Sequence, residues 1–215
     1  MKIKNIIWDW NGTVVDDAWV FVDIMNSVLK REGLPLTSLR EYKKNFCFPI
    51  QKYWQNLGFK FNQKEFIVLN RGFIEKYQSK LFFPKLHVGM LDLLFSIKKQ
   101  AVRQFVLSAS EQNLLNKSIE HYNVKGVFCD VFGVDNLNAV GKVERGRFLL
   151  KKYRLKAKET LLVGDTEYDW EVAQSLGCRI ILISHGHINY KRLQKTGCLV
   201  LKNVDELNKY LLINL

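Results

Sequence analysis

The sequence lacks long apolar runs and closely spaced cysteines, and these absences exclude several classes of protein. No stretch approaches the roughly 20 apolar residues that a membrane-spanning helix needs, and the lysine-containing start, with an early Asp9, does not resemble a secretory signal peptide. The four cysteines are scattered without a Cys-x-x-Cys pair, which argues against a disulfide framework or a thiolate zinc site. We therefore expect a cytoplasmic protein with free, mostly buried thiols and no membrane partner.

The sequence also lacks internal repeats, low-complexity segments and long runs of basic residues. Its net charge is +12, yet the lysines and arginines are spread in pairs such as Lys43–Lys44 and Lys98–Lys99. Such pairs are typical of solvated helix faces, so the charge argues against a nucleic-acid partner and for attraction of small phosphorylated anions. With 215 residues, of which 47% are hydrophobic, the chain can bury one good core, or a core plus a small appended domain.

Apolar segments of strand length alternate with segments of helix length over much of the chain. Strands alternating with helices of 10 to 15 residues are typical of right-handed βαβ units and a parallel sheet covered on both faces. We therefore expect an α/β fold with a doubly wound parallel sheet. The predicted strands are 6–8, 102–107, 126–131, 160–163 and 179–183.

One long segment interrupts this alternation. Between the first two predicted strands the pattern indicates only helices, including 18–31, a helix opened by Ser38, and one opened by Asn62 with Glu65 three residues later. This segment is too long for a single crossover between strands. We expect a helical domain at 16–83 inserted into an α/β core formed by 1–15 and 84–215.

Polar side chains follow three of the predicted strands, at the point where each strand ends. In an open parallel sheet these ends share the edge at which ligands bind. Two or three carboxylates together favour Mg²⁺, which prefers oxygen ligands. A lysine beside them suits an anionic substrate. The residues are Asp9 and Asn11, then Ser108 and Ser110, then Asp165 and Asp169, with Lys142 at the start of a helix.

On these motifs the chain resembles the haloacid dehalogenase superfamily, and within it the phosphatases with a small helical cap, such as phosphoglycolate phosphatases. Residues 7–13 match the motif hydrophobic-Asp-x-Asp-Gly-Thr except at Asn11, and 105–108 match a strand ending in a hydroxyl residue. Lys142 matches the motif lysine, and 164–169 match Gly-Asp-x-x-x-Asp. The resemblance covers essentially the whole chain, and it implies a Rossmann-like core with an inserted α-helical cap.

The resemblance also implies a role for each motif residue in the hydrolysis of a small phosphorylated metabolite. Asp9 would be the nucleophile and would form an aspartyl-phosphate. Mg²⁺ would be held by Asp9, the backbone carbonyl of Asn11 and Asp165, with Asp169 as a further ligand or behind the ligands. Ser108 and Lys142 would bind the phosphoryl oxygens. The turn containing Gly12 and Thr13, together with Ala109, would complete the phosphate site. We expect a monomer or a homodimer.

The main departure from the family pattern is Asn11, because the related phosphatases carry an aspartate there as general acid and base. An amide cannot shuttle a proton, and loss of general acid–base catalysis typically costs about 10²–10⁴-fold in rate. Leaving groups of low pKa, such as acyl phosphates, would suffer less. The alternatives are therefore a slow phosphatase or a weakly active or inactive phosphate-binding regulator.

Other interpretations remain open at the level of sequence. Phosphonoacetaldehyde hydrolases have a small residue at position 11 and use a cap lysine, but the expected specificity loop, 46–51, contains no lysine and is only flanked by Lys44 and Lys52. Ser108 could instead cap the helix that starts near residue 111, and Lys125 could replace Lys142 as the phosphate lysine. The segment 185–187, His-Gly-His, suggests a metal site, but a loop near the site is the simpler interpretation.

Overall fold

The computed structural model describes residues 2–137, 139 and 141–215, which contain a six-stranded parallel sheet. The strands are β1 (Asn5–Trp8), β2 (Arg103–Glu111), β3 (Asp130–Val134), β4 (Thr160–Gly164), β5 (Arg179–Ile183) and β6 (Leu199–Leu201). Their order is β3-β2-β1-β4-β5-β6, and every neighbouring pair is parallel. The winding direction reverses at β1, so the crevice between the ends of β1 and β4 is the place where such sheets bind ligands.

Helices cover both faces of this sheet. They are α1 (Ala18–Arg31), α2 (Leu39–Asn45), α3 (Ile50–Asn56), α4 (Gln63–Ser79), α5 (Met90–Lys98), α6 (Gln112–His121), α7 (Lys142–Lys152), α8 (Glu167–Leu176), α9 (Tyr190–Leu193) and α10 (Val204–Asn214). Successive side chains of a strand point to opposite faces. Ile6 and Trp8 accordingly pack with buried residues of α5, α6 and α10, whereas Ile7 packs with those of α7 and α8. The predicted doubly wound α/β fold is confirmed.

The block between β1 and β2 is helical, and residues 16–83, all of which the structure describes, contain no strand. Helix α4 begins with the predicted capping box, in which Asn62 and Glu65 bond each other's backbone. The block packs through a cluster rich in aromatic residues that also includes Leu182 and Ile188, which come from the sheet side of the chain. The division into a core (1–15 and 84–215) and a cap (16–83) stays a prediction, and residues 1, 138 and 140 of that core lie outside the described part.

The third predicted strand was misplaced. The sequence indicated a strand at 126–131, but Lys125–Val127 form a 3₁₀ turn and β3 begins only at Asp130. Val127 and Phe128 are buried against the face of the sheet that carries Trp8. A short apolar run in the sequence indicates that the segment is buried, but it does not distinguish a strand from a buried turn. The second strand also continues further than predicted, through Ser108 to Glu111.

Two expectations from composition can be compared with the structure. Among the described helices, none is long and apolar enough to cross a membrane. All four cysteines are free, but only Cys178 is buried, so the expectation of mostly buried thiols was wrong. Cys129 is exposed because it lies in the segment that leads into the edge strand β3, where there is no neighbouring strand on one side.

Candidate active site

Three buried carboxylates meet at the carboxyl edge of the sheet. Asp9 directly follows β1, and its N–H donates to the Val163 carbonyl of β4 at 2.8 Å, which continues the sheet bonding by one residue. Asp165 directly follows β4, and Asp169 lies in the first turn of α8. Asp9, Asp165 and Asp169 each offer an oxygen, and these oxygens lie within 4.8 Å of one another. The crossing point of the sheet therefore carries a compact acidic cluster.

Lys142 enters this cluster from the start of α7. Its Nζ donates to Asp9 Oδ1 and to Asp169 Oδ1, both at 2.5 Å, and the side chain is almost completely buried. Burial lowers the pKa of Lys142, but Asp169 and Asp9 outweigh it and hold the pKa above its usual value. Lys125, the alternative lysine, is exposed and pairs with Glu120 instead. Of the two lysines, the structure brings only Lys142 to the acidic cluster.

The cluster holds more negative than positive charge. Three carboxylates and the Lys142 ammonium leave two formal negative charges within the cluster. Burial first, and then repulsion by Asp169 and Asp165, raises the pKa of Asp9 to about 8 although Lys142 opposes the shift. Burial and Asp169 likewise raise the pKa of Asp165 to about 6. A hard divalent cation bound to these oxygens would relieve the repulsion, so the donor set fits Mg²⁺.

The Asp165 carboxylate is enclosed by two turns. The His187 N–H donates to its Oδ2 at 2.5 Å, and the Thr13 hydroxyl lies 2.9 Å from its Oδ1 and 3.2 Å from Asp9 Oδ2. Gly12 and Gly186 lie so close that a β-carbon at either would collide with this carboxylate, and Gly12 has a φ of +77°. Glycine at both positions is therefore what allows the two turns to close around Asp165.

Asp169 stabilises the turn between β4 and α8 while it orients Lys142. Its Oδ2 accepts from the Thr166 hydroxyl at 2.6 Å and from the N–H groups of Thr166 and Asp165 at 3.0 and 3.2 Å. Thr166 and Asp169 form a capping box at the start of α8. The spacing Gly-Asp-x-x-x-Asp thus has a structural reason in addition to any ligand role, because the second aspartate satisfies the N–H groups of the two residues that precede the helix.

Asn11 is held on both sides of its amide. Its Nδ2 donates to Asp17 Oδ2 at 2.5 Å and to the Tyr77 hydroxyl at 2.7 Å, while its Oδ1 accepts from the Ser110 hydroxyl at 2.6 Å. An ionised carboxylate can only accept hydrogen bonds. The neighbouring carboxylate of Asp17 therefore requires a donor at position 11, and asparagine provides one.

Asp17 is the centre of a buried polar network that the sequence interpretation missed. It accepts from Gly12 N–H at 2.9 Å, and its Oδ1 lies 3.3 Å from His187 Nε2. Burial raises the pKa of Asp17, but the bonds from His187, Asn11 and Tyr77 outweigh burial and lower it. The sequence pattern gave no signal for these partners, since an aspartate before a helix is ordinarily an exposed cap.

The segment 185–187 lies beside the site as a loop after β5. His187 uses both ring nitrogens, with Nδ1 2.8 Å from the Tyr42 hydroxyl and Nε2 next to Asp17. His185 Nε2 lies 3.0 Å from the Thr13 carbonyl. Among the described residues, the group identified as able to hold a metal is the aspartate cluster, and it contains neither histidine.

Ser108 is buried at the end of β2 and does not cap the following helix. Its Oγ accepts from the Ser110 N–H at 3.1 Å, whereas the Glu111 carboxylate caps α6. Ser108 and Ala109 line the cavity in front of Asp9. The N–H of Gly12 is directed to Asp17 and to the Val15 carbonyl, and the described lining of the cavity includes neither Gly12 nor Thr13. Of the predicted phosphate-binding residues near the strand ends, Ser108 and Ala109 in the last part of β2 face the cavity.

A cavity of about 130 Å³ lies between the acidic cluster and the helical block. Asp9, Lys142 and Asp169 form part of one wall, and the predicted specificity loop contributes Phe46, Phe48 and Ile50. Lys44 and Lys52 are not among the described residues that line it. The structure thus gives no support to a cap lysine of the phosphonatase type.

The fold and the site together define a parallel α/β protein with a buried acidic cluster at the reversal point of its sheet. The family model described as haloacid dehalogenase-like hydrolase matches residues 6–183, and the chain belongs to this family of enzymes.

Relatives named as phosphatases or a pyrophosphatase, and solved structures of similar fold, match most of the chain. A protein of Caldanaerobacter subterraneus subsp. tengcongensis, provisionally named the pyrophosphatase PpaX, is 23% identical over 91% of this chain and 88% of its own length. A Pseudomonas syringae protein named phosphoglycolate phosphatase is 22% identical over 86% of this chain and 70% of its own length. The solved structure of a predicted phosphatase from Clostridium acetobutylicum has a TM-score of 0.86 at 21% identity and covers 99% of this chain and 100% of the other.

Proposed function

We propose that the protein is a Mg²⁺-dependent phosphatase that hydrolyses the phosphate ester or anhydride of a small metabolite through a phosphorylated Asp9. The observation that carries this proposal is the position of the Asp9 carboxylate, which lines the cavity while Lys142 bonds it from the side. The names of the two curated relatives, a phosphatase and a pyrophosphatase, support the same reaction class.

In this proposal Asp9 is the nucleophile, and Lys142 and Ser108 bind the phosphoryl group. An Asp9 oxygen forms a bond to phosphorus while the bond from phosphorus to the leaving oxygen breaks. A water oxygen then bonds to phosphorus while the bond between phosphorus and Asp9 breaks, so that inorganic phosphate leaves with the protons of the water and the Asp9 carboxylate is restored. Lys142 offsets negative charge on the carboxylate and the phosphoryl group, and the Ser108 hydroxyl donates to a phosphoryl oxygen. Mg²⁺, when bound by Asp9, Asp165 and the Asn11 carbonyl with Asp169 beside them, would supply further charge neutralisation.

The helical block 16–83 acts in this proposal as a cap over the site. Phe46 of the loop before α3 and Phe73 of α4 line the cavity opposite Ser108 and Lys142. A substrate therefore contacts both parts of the chain at once. The cap would select the leaving group, while the sheet edge binds the phosphoryl group.

The direct test replaces the nucleophile. We expect Asp9→Asn to abolish the release of phosphate from an aryl phosphate in the presence of Mg²⁺, because an amide is too weak a nucleophile. Asp92→Asn, a matched change at an exposed position of α5, should leave the rate unchanged. Removal of Mg²⁺ with a chelator should stop the wild-type reaction. Equal turnover by the wild type and Asp9→Asn would rule out the mechanism.

A second test concerns Asn11. Asn11→Asp introduces a group that can give a proton to the leaving oxygen and take one from water, so turnover of alkyl phosphates should rise by roughly 10²-fold or more. The rate should be compared for an alkyl and an acyl phosphate, since the acyl phosphate needs little help from an acid. An unchanged or lower alkyl rate would show that position 11 does not limit the reaction. A wild type that binds phosphate but hydrolyses none of these compounds would favour the alternative of a phosphate-binding regulator.

A further inference from the structure

We propose that the leaving group of the substrate is an uncharged aromatic group, so that the compound is an aryl or aroyl phosphate and carries neither a carboxylate nor a second phosphate. The inference rests on the proposed function, because it concerns the part of the same cavity that lies beyond Asp9. It also differs from what the names of the curated relatives indicate for those proteins.

The first argument is the wall of the cavity that the helical block provides. Aromatic side chains from three of its helices and the loop before α3 face the space in front of Asp9. Phe21, Phe46, Tyr53, Trp54 and Phe73 belong to this wall. Several of these rings contact one another at centroid distances of 5.3 to 5.7 Å, as in Phe21–Phe73, Phe46–Tyr53 and Trp54–Phe73. Such a surface favours another ring through edge-to-face or offset contacts.

The second argument is charge. Lys142 is the one lysine or arginine among the described residues that line the cavity, and it is already bonded to Asp9 and Asp169. His187 is paired with Asp17, and Glu111 adds a negative charge to the lining. Residues 138 and 140, which the structure does not describe, are asparagine and valine and carry no charge. A carboxylate or second phosphate on the leaving group would be desolvated without a cationic partner.

The third argument is size. The cavity has a volume of about 130 Å³, and this volume includes the space in front of Asp9 where the phosphoryl group would lie. An apolar protein cavity of about 150 Å³ is large enough to bind benzene. A single ring is therefore close to the upper limit of size, whereas a nucleoside would exceed the space.

The fourth argument is chemical and independent of the cavity. Asn11 cannot protonate a leaving oxygen, and its amide is held by Asp17, Tyr77 and Ser110. Phenolate and carboxylate leaving groups depart as anions without a proton, unlike alkoxides. An aryl or aroyl phosphate thus fits the cavity and also has a leaving group that departs without a general acid.

The test compares acetyl phosphate with benzoyl phosphate, because the two share the acyl phosphate chemistry and differ mainly in the ring. With Mg²⁺ we expect similar kcat values and a KM for benzoyl phosphate that is lower by at least about tenfold, since a single methylene in a hydrophobic pocket already contributes about tenfold or more. Phosphoglycolate and pyrophosphate should be hydrolysed more slowly than benzoyl phosphate.

The outcomes separate the inference from the proposed function. Hydrolysis of acetyl phosphate with no gain from the ring, or a preference for phosphoglycolate or pyrophosphate, would overturn the inference and leave the phosphatase proposal standing. If Mg²⁺ supports hydrolysis of none of the four compounds, the proposed function itself fails.

A pair of variants on one helix shows whether the ring contacts the cavity wall. Ile74 and Ile67 are both isoleucines of α4. Ile74 lines the cavity, whereas Ile67 is 41% exposed and is absent from the lining. Ile74→Ala should raise the KM for benzoyl phosphate by about three- to tenfold and that for acetyl phosphate by less, because the ring loses more apolar contact than a methyl group does. Ile67→Ala should change neither value. An equal loss for both substrates in Ile74→Ala would contradict the proposed contact.

Discussion

At the scale of single residues, the pair Asn11 and Asp17 decides how the loop after β1 is built. The amide donates to the buried carboxylate, and Asp17 also takes the Gly12 N–H and pairs with His187. A carboxylate at position 11 would face the buried carboxylate of Asp17. Asn11 therefore stabilises the loop through Asp17 and also deprives the site of a general acid. Its effect on stability and its effect on the reaction rate can be measured separately.

We expect Asn11→Asp to lower the free energy of unfolding at pH 7 by about 1–3 kcal/mol, because the partly buried hydrogen bond to Asp17 is lost and two carboxylates then share one site. Adding Asp17→Asn should recover part of the loss, since the donor and acceptor are then exchanged. Urea denaturation gives these values.

The control for this prediction is Asn116→Asp. Asn116 is exposed on α6, and its Oδ1 accepts from Gln112 Nε2 at 2.9 Å, a bond that a carboxylate can also accept. This variant should be as stable as the wild type. If Asn11→Asp is no less stable than Asn116→Asp, the bond between Asn11 and Asp17 contributes nothing measurable.

At the scale of elements, the turn from β4 into α8 places two of the three aspartates. Gly164 ends β4 so close to Asp169 that a β-carbon there would overlap that side chain. The strand and the first turn of the helix can approach only because residue 164 has no side chain. The position of Asp169, and through it that of Lys142, depends on this approach.

We expect Gly164→Ala to reduce the free energy of unfolding by about 1–3 kcal/mol, as overpacking of a close contact does, and to reduce phosphate release as Asp169 moves away from Lys142. Gly126→Ala is the matched control, because a β-carbon at Gly126 meets nothing within 4 Å. Denaturation and a phosphate assay on both variants test the prediction. A fully active and stable Gly164→Ala would show that the turn tolerates a larger separation.

At the scale of the whole molecule, two remote histidines close the β1–α1 loop. His87 and His185 stack with ring centroids 3.5 Å apart, and their Nε2 atoms lie 3.0 Å from the carbonyls of Gly12 and Thr13. Burial, and then the neighbouring His87, lowers the pKa of His185 to about 3, with Lys43 acting in the same direction. Burial also lowers the pKa of His87. The folded protein thus keeps this pair neutral.

This pair should make stability depend on pH. Below about pH 6.5, His185 is protonated in the unfolded chain but stays neutral in the folded protein. The free energy of unfolding therefore falls as the pH falls, by up to about 3 kcal/mol near pH 4. His185→Gln, which keeps a donor but cannot titrate, should show a shallower fall between pH 6.5 and 4. His121→Gln, at an exposed position of α6, is the control. Identical pH profiles for the wild type and His185→Gln would contradict this account.

The sequence by itself determined the parallel α/β architecture, the helical block after the first strand and the strand-end positions of Asp9 and Asp165. Asp9 and Asp165 could be placed because each follows a short apolar segment, and parallel strands carry such residues to one edge. Helices α1 and α4 could be placed because apolar periodicity and caps are local signals. The limits of β3 could not, because Val127 and Phe128 are apolar for a reason unrelated to strand pairing.

Only the tertiary structure decided which groups surround those positions. Asp17 bonds Tyr77, 60 residues away in the chain, and His187 reaches it from still further. The aromatic cavity is assembled from α1, α3, α4 and the loop before α3, and no one of these segments reveals on its own what it faces. Local patterns record the period of an element and its ends. Buried polar partners and cavity walls depend on how distant segments pack, which is why they became visible only in the folded chain.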